Sequence, residues 1–275
     1  MIIVAILKHV AGKSADYGAA LDYLKYEHDE VLKKPLLDAN GNWVLRRDIL
    51  LEGINCEPEL FDVECEMLNA QYHKNQNYDE IKTHHYLISF DPADKDECGL
   101  TGEQAQAIGM EYVKANFPGH QALVCTHMDG HNGSGNIHVH IVINSLRKLD
   151  VPQQPFMERP IDCKAGYKHH LTKDYLKHLQ QSLMNICMRE SLNQVDLLSP
   201  SVNKITQQEY YAKQRGQINL DKLNAELIAE GFTPMKTKFQ TEKDKLRDSI
   251  TAAAKKRKNL LKNSAAYSKP NPTFW

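Results

Sequence analysis

One seven-residue run constrains this chain more than any other. Residues 137–143 read Ile-His-Val-His-Ile-Val-Ile. In an extended strand, residues two apart share a face. Ile137, Val139, Ile141 and Ile143 then line one side, and His138, His140, Val142 and Asn144 the other. The first side is uniformly apolar and demands a covering layer of helices or a second sheet. The second places two imidazoles side by side, for which a fold has no structural use. Upstream, residues 122–128 read as a partner strand, joined to the first by a polar, glycine-rich loop. If the two pair as a hairpin, His127 comes alongside His138 and His140. Three imidazoles from neighbouring strands make a metal site with open coordination positions. Asp129, two beyond His127, has three readings: a ligand, a carboxylate that orients a histidine, or a turn residue before Gly130. His131, within the loop, reads as solvated.

The rest of the chain supports a layered fold around that hairpin. Residues 2–8 read as a buried strand, and 14–28 as a helix capped by Ser14 or Asp16. Asn40-Gly41 marks a tight hairpin between Leu36-Leu37 and Trp43-Val44-Leu45; it lacks the closing glutamate of a calcium loop. A mostly polar helix spans 59–75, a strand 84–90, and a helix 101–116 that opens with Thr101-x-x-Gln104, a capping box. The central hairpin comes next, and beyond it Val151 to Tyr167 reads as loop. Helices are predicted over 171–192, 207–216, 219–231 and 241–262, and the tail from Ser268 reads as disordered. The expected fold is α/β (α+β), a mainly antiparallel central sheet flanked by helices, with one unit over 1–200 and a helical, basic extension over 201–275.

Charge supports that division. The net charge is −1, yet residues 1–150 hold 13 Lys and Arg against 23 Asp and Glu, and residues 201–275 hold 15 against 7. A basic segment of this kind is either a polyanion-binding surface or a solvated helix face. The six cysteines form no CxxC pair and read as free thiols of a reducing compartment. No run approaches transmembrane length. A cytoplasmic protein without a membrane segment is expected.

The ordered set His127-x-Asp129, His138-Val139-His140 and Asn144 resembles the relaxase/mobilization nuclease family, MobP-type, of mobilizable and integrative conjugative elements. These are endonucleases with a histidine–hydrophobe–histidine motif. The resemblance extends to Ala19-Ala20-Leu21-Asp22-Tyr23-Leu24 after the first strand, to His84-His85-Tyr86-Leu87-Ile88-Ser89-Phe90, and to later blocks around Ala165-Gly166-Tyr167-Lys168 and Glu209-Tyr210-Tyr211. The loop between Asp129 and His138 is longer than in the shortest members. Members are often longer than this chain, so an N-terminal portion of a longer protein is one reading.

The resemblance implies a reaction: nicking of one DNA strand at an origin of transfer, with the enzyme left attached to it. It implies Tyr23 as nucleophile, with Tyr26 three residues on as competitor. His127, His138 and His140 become ligands of a divalent ion, Mg or Mn by family habit, with Zn or Ni as the choice imidazole donors favour. A phenol of pKa about 10 is a weak nucleophile at neutral pH. It needs a base or a cation's field, and Asp129 is a candidate for that help. The partner would be single-stranded origin-of-transfer DNA, with accessory DNA-binding and coupling proteins. Arg46, Arg47, Arg147, Lys148, Lys164, Lys168 and the 255–258 cluster are candidates for a basic groove, and Asn144 for a DNA contact. Two other classes fit the histidines: a hydrolase that activates water, and a module that holds single-stranded DNA without cutting it.

Overall fold

The computed structural model describes residues 5–13, 16–29, 34–128, 136–194, 196–199, 207–230 and the single positions 235, 241 and 245. The chain divides into two compact units, Met1–Val202 and Asn203–Trp275.

In the first unit the order is β1 (Ile6–Gly12), α1 (Gly18–Lys25), the short β2 (His28–Asp29) and β3 (Lys34–Pro35), then β4 (Ile49–Ile54) and α2 (Phe61–Tyr72). These are followed by β5 (Thr83–Ser89), α3 (Pro92–Asp96), α4 (Gly102–Asn116), β6 (His120–His127), β7 (His138–Arg147) and α5 (Lys173–Arg189). Five strands form one sheet in the order β1-β5-β7-β6-β4, every neighbouring pair antiparallel. The fold is α+β. The alternation in 137–143 has the expected effect. Val139, Ile141 and Ile143 join Tyr86, Ile88 and Val124 beneath α4 and α5, against Ile108, Tyr112, Leu179 and Leu183. Gly109 lets α4 lie this close: a Cβ there would stand 2.6 Å from Val139 Cγ1 and 2.9 Å from Val124 Cγ1. Thr101 caps α4, its hydroxyl accepting from Gln104 N while the Gln104 side chain accepts from Thr101 N, as the capping box requires.

The histidine side of the sheet is covered as well, which the polar pattern did not suggest. Val142, Leu123 and Cys125 pack against Leu21 and Leu24 of α1 and Phe61 and Cys65 of α2, so all ten residues of β7 are buried.

Other expectations shift. Of the strand expected over 2–8, residues 2–4 lie outside the described residues; the described strand is Ile6–Gly12, at the sheet edge with Ile6, Lys8, Val10 and Ala11 exposed. The helix expected over 14–28 is confined to Gly18–Lys25. Tyr26 turns to extended backbone at φ −108 and ψ 151 and bridges Leu45, so strand pairing stops the helix. The hairpin around Asn40-Gly41 is present: Leu37 bridges Trp43, Gly41 adopts φ +82, and the Asp38 carboxylate accepts from Asn40 N and Asn42 N. Strand β4 was not anticipated.

In the second unit, the two helices expected over 207–216 and 219–231 are a single helix, α6 (Gln207–Ala229). Gly216 is exposed with open space around its Cα, and an exposed mid-helix glycine costs only about 1 kcal/mol. Most of the helix expected over 241–262, the 255–258 cluster and the tail lie outside the described residues. No helix among the described residues is long and apolar enough to cross a membrane.

Candidate metal and active site

The antiparallel register of β6 and β7 sets His127 directly opposite His138, and His140 follows on the same face. The rings sit 5.1 Å (127–138), 4.5 Å (127–140) and 4.9 Å (138–140) apart, centroid to centroid. One nitrogen from each lies within 4.8 Å of the others, and all three residues are buried. This donor set fits a divalent ion: three neutral nitrogens on one side, with positions left for outside oxygens. Among the described residues it is the one such group of His, Cys, Asp and Glu.

The outer nitrogens have identifiable partners. His127 Nε2 donates to the carbonyl of Leu24 at 2.9 Å, and His138 Nδ1 to the carbonyl of Asn136 at 3.3 Å. The Leu24 carbonyl is one of the last four of α1, which have no partner within the helix. His127 satisfies it and ties α1 to the triad in the same contact. His140 Nδ1 meets His85 Nε2 at 2.8 Å. His85, on β5, is half-buried, and burial followed by the neighbouring Lys8 and His9 charges pushes its pKa down to about 4.

Helix α1 carries Tyr23 to this cluster. Leu21 and Leu24, three apart, are its buried residues, and the Asp16 carboxylate accepts from Ala19 N at its start. Between them the half-buried Tyr23 ring stands edge-on to His140 at 5.7 Å and to His85 at 5.9 Å, and tilted against His28 at 5.3 Å. Tyr26 has left the helix and packs edge-on to Trp43 at 5.3 Å. The structure therefore brings Tyr23 to the triad and sends Tyr26 to the neighbouring hairpin. Asp129 and His131 lie outside the described residues.

The proposed DNA-contacting residues divide by position. Ile49 pairs with His127, so Arg46 and Arg47 enter β4 at the triad's end of the sheet. Arg46 Nε donates to the Tyr26 carbonyl at 3.1 Å, and Arg47 is exposed. The remaining five do not gather there. Strand β7 carries Arg147 seven residues beyond His140, about 24 Å away at a rise of about 3.4 Å per residue. Asn144 is buried, its amide donating to Gln121 and accepting from Leu146 N. Arg147 is buried too, and burial lowers its pKa. Lys148 is paired with Glu64 at 2.8 Å, Lys164 with Asp150 at 3.3 Å and Lys168 with Glu80 at 2.8 Å.

A second group of histidines, not singled out from sequence, serves the core. His84 and His169 meet edge-on at 4.7 Å, His120 Nδ1 donates to the Asn144 carbonyl at 2.9 Å, and Tyr86 Oη pairs with His169 Nε2 at 2.9 Å. Burial holds His84 and His120 down to about 3 each and His169 well below the ordinary value. Neutral His is thus favoured in the folded state, while the unfolded chain takes up protons near pH 6.5. The stability this confers is complete above that pH and is lost as pH falls toward 3. Each such group removes about 1.4 kcal/mol per pH unit in that window. Urea unfolding is expected to show a loss of about 2 kcal/mol between pH 6 and pH 5 from His84 and His120 together. A flat profile over that unit would contradict their burial as neutral groups.

Comparison with known proteins gives the following. Residues 43–152 match the relaxase family, MobA/VirD2-like nuclease domain. Two curated relatives, each called protein rlx and each from Staphylococcus aureus, are similar to this chain. One is 27% identical over 152 residues, covering 55% of this chain and 40% of its own. The other is 26% identical over 176 residues, covering 64% of this chain and 44% of its own. The chain thus spans about two fifths of the length of these relatives. Among solved structures, the conjugative relaxase TrwC in complex with oriT DNA, metal-bound, aligns over 86% of this chain and 88% of its own, with 13% identity and a TM-score of 0.37. A structure from work on the molecular basis of vancomycin resistance transfer in Staphylococcus aureus aligns over 68% of this chain and 92% of its own, with 16% identity and a TM-score of 0.36. The family match contains His127, His138 and His140 and stops short of Tyr23.

Proposed function

We propose that this protein, whose residues 43–152 match the MobA/VirD2-like relaxase nuclease domain family, nicks one strand of DNA at an origin of transfer and remains covalently attached to it. Tyr23 is the nucleophile, and His127, His138 and His140 hold a divalent ion, Mg or Mn, beside it. The observation that carries this reading is the Tyr23 ring lying 5.7 Å from that of His140, itself one of three imidazoles whose nitrogens converge within 4.8 Å. A single-stranded substrate, and accessory proteins that expose and deliver it, complete the proposal.

When bound, the ion supplies Lewis acidity and a template for phosphate oxygens. The protein's own part is the displacement. Tyr23 Oη forms a bond to phosphorus, the bond from phosphorus to the 3′ oxygen breaks, and that oxygen leaves as a hydroxyl after taking a proton. The phenol proton passes to a base at the site, for which the His28 ring against Tyr23 and Asp129 are the candidates. The product is a 5′-phosphotyrosine. It preserves a phosphodiester bond, so the free 3′ hydroxyl can reverse the step at the end of transfer, as an attack by water would not allow.

Single strands are held by stacking and by cations. The hairpin beside Tyr26 offers both: Trp43 is 45% exposed with Leu37 and Leu45 exposed around it, and Arg46 and Arg47 follow. Replacing Trp43 with Ala is expected to weaken single-stranded DNA binding about tenfold, since a base stacked on an aromatic ring contributes about 1–3 kcal/mol. Trp43→Phe should retain most of the affinity. Fluorescence anisotropy with a labelled oligonucleotide reads this directly, and equal affinities for wild type and Trp43→Ala would remove the hairpin from the binding surface.

The function itself is tested with 3′-labelled single strands tiled across the DNA flanking the coding sequence, incubated with Mn2+ and run on a denaturing detergent gel. A labelled band that migrates with the protein is expected. Cleavage without such a band would favour a water-activating hydrolase, and no cleavage of any strand a binding module.

A further inference from the structure

We propose that His85 is a positioning residue: it decides which ring nitrogen His140 presents to the metal centre, and it does so without adding negative charge there. The proposal rests on the metal reading above.

The outer partners of the three histidines are not equivalent. Those of His127 and His138 are backbone carbonyls, at 2.9 and 3.3 Å. A carbonyl can only accept, so it fixes the proton on His127 Nε2 and His138 Nδ1. The nitrogens that carry the lone pairs are then His127 Nδ1 and His138 Nε2. The partner of His140 Nδ1 is His85 Nε2, 2.8 Å away, and an imidazole nitrogen can accept or donate. If His85 accepts, His140 carries its proton on Nδ1 and turns the Nε2 lone pair to the centre. If His85 donates, the proton of His140 sits on Nε2 and the donor set falls from three to two. The tautomer of one ligand is thus set by a side chain from a different strand. In the sheet, His85 pairs with Val142, one position diagonal from His140, within reach of a long side chain.

The choice of acceptor has a second consequence. Metal-bound histidines commonly donate to a carboxylate, which raises their basicity and adds a negative charge. The described acceptors here are two carbonyls and one imidazole. His85, a neutral-capable imidazole in that position, brings no carboxylate charge of its own to the His140 ring.

The test uses the full chain and the ion alone. Calorimetry with Mn2+ is expected to show His85→Phe binding about 10–100-fold more weakly, the usual effect of losing a histidine's outer partner. His85→Gln, whose amide oxygen can accept, should stay within about threefold of wild type, and His85→Glu should bind more tightly. Long-range 1H–15N NMR of the metal-free protein reads the tautomer directly. His140 is expected to be protonated on Nδ1 in wild type and His85→Gln, and to become a mixture in His85→Phe. The proposal is overturned if His85→Phe keeps both wild-type Mn2+ affinity and the Nδ1 tautomer, or if Gln fails to restore what Phe loses. Wild type that binds no Mn2+ would sink the metal reading beneath it. The tautomer comparison then still decides the role of His85, because it needs no ion.

Discussion

His140→Ala and His138→Ala are each expected to reduce strand cleavage by about a thousandfold or more. A bound ion stabilises developing charge on a phosphoryl group by several kcal/mol, and each 1.36 kcal/mol is about a factor of ten in rate. Both side chains are buried, so alanine also leaves a cavity and some loss of stability is expected. The Gln variants, which fill more of the space, separate the two effects: they should fold near wild type and remain inactive. The measurement is single-turnover cleavage of a labelled strand at saturating Mn2+, together with the urea midpoint. A Gln variant that cleaves at the wild-type rate would remove that histidine from the ligand set.

Tyr23→Phe is expected to eliminate the covalent adduct. The change removes one oxygen and keeps the ring, so the contacts with His28, His85 and His140 survive and packing changes little. Binding of single strands and of Mn2+ should persist within about twofold, on the expectation that the hydroxyl takes little part in either. Tyr26→Phe should retain adduct formation, since that ring packs on Trp43 rather than on the triad. Adduct from Tyr23→Phe with none from Tyr26→Phe would reverse the assignment. Adduct from neither wild type nor variant, with cleavage intact, would give the attack to water.

The parts of this protein that were legible in its sequence are those where a short period meets a hard chemical constraint. Alternation over 137–143 carried both the buried sheet centre and the histidine pair, and the capping box at Thr101 announced α4 before any apolar stripe did. Strand β4 escaped because its sequence, Ile-Leu-Leu-Glu-Gly-Ile, is only partly buried and does not alternate. Helix α1 was drawn too long because its end is set by a tertiary event, the pairing of Tyr26 with Leu45, which leaves no local signal. His85 stood in a strand that was recognised, yet its contact with His140 depends on which strands are neighbours and in what register. The basic residues were named as groove candidates by residue type, which carries no position. Antiparallel geometry instead carries Arg147 to the far end of β7, and Lys148, Lys164 and Lys168 each pair with a carboxylate.

The central claim is that Tyr23 attacks the phosphodiester, and peptide mapping of the trapped adduct tests it most directly. After nuclease trimming, trypsin cleaves behind Lys13, Lys25 and Lys33, which places Tyr17 and Tyr23 on the peptide 14–25 and Tyr26 on 26–33. Tandem mass spectrometry is expected to find the nucleotide mass on 14–25, with fragment ions locating it at residue 23. Tyr17 is not expected to carry it, since its hydroxyl is engaged by Asn69 at 2.6 Å and burial pushes its pKa up to about 12. A nucleotide on 26–33, or on any histidine, would contradict the account.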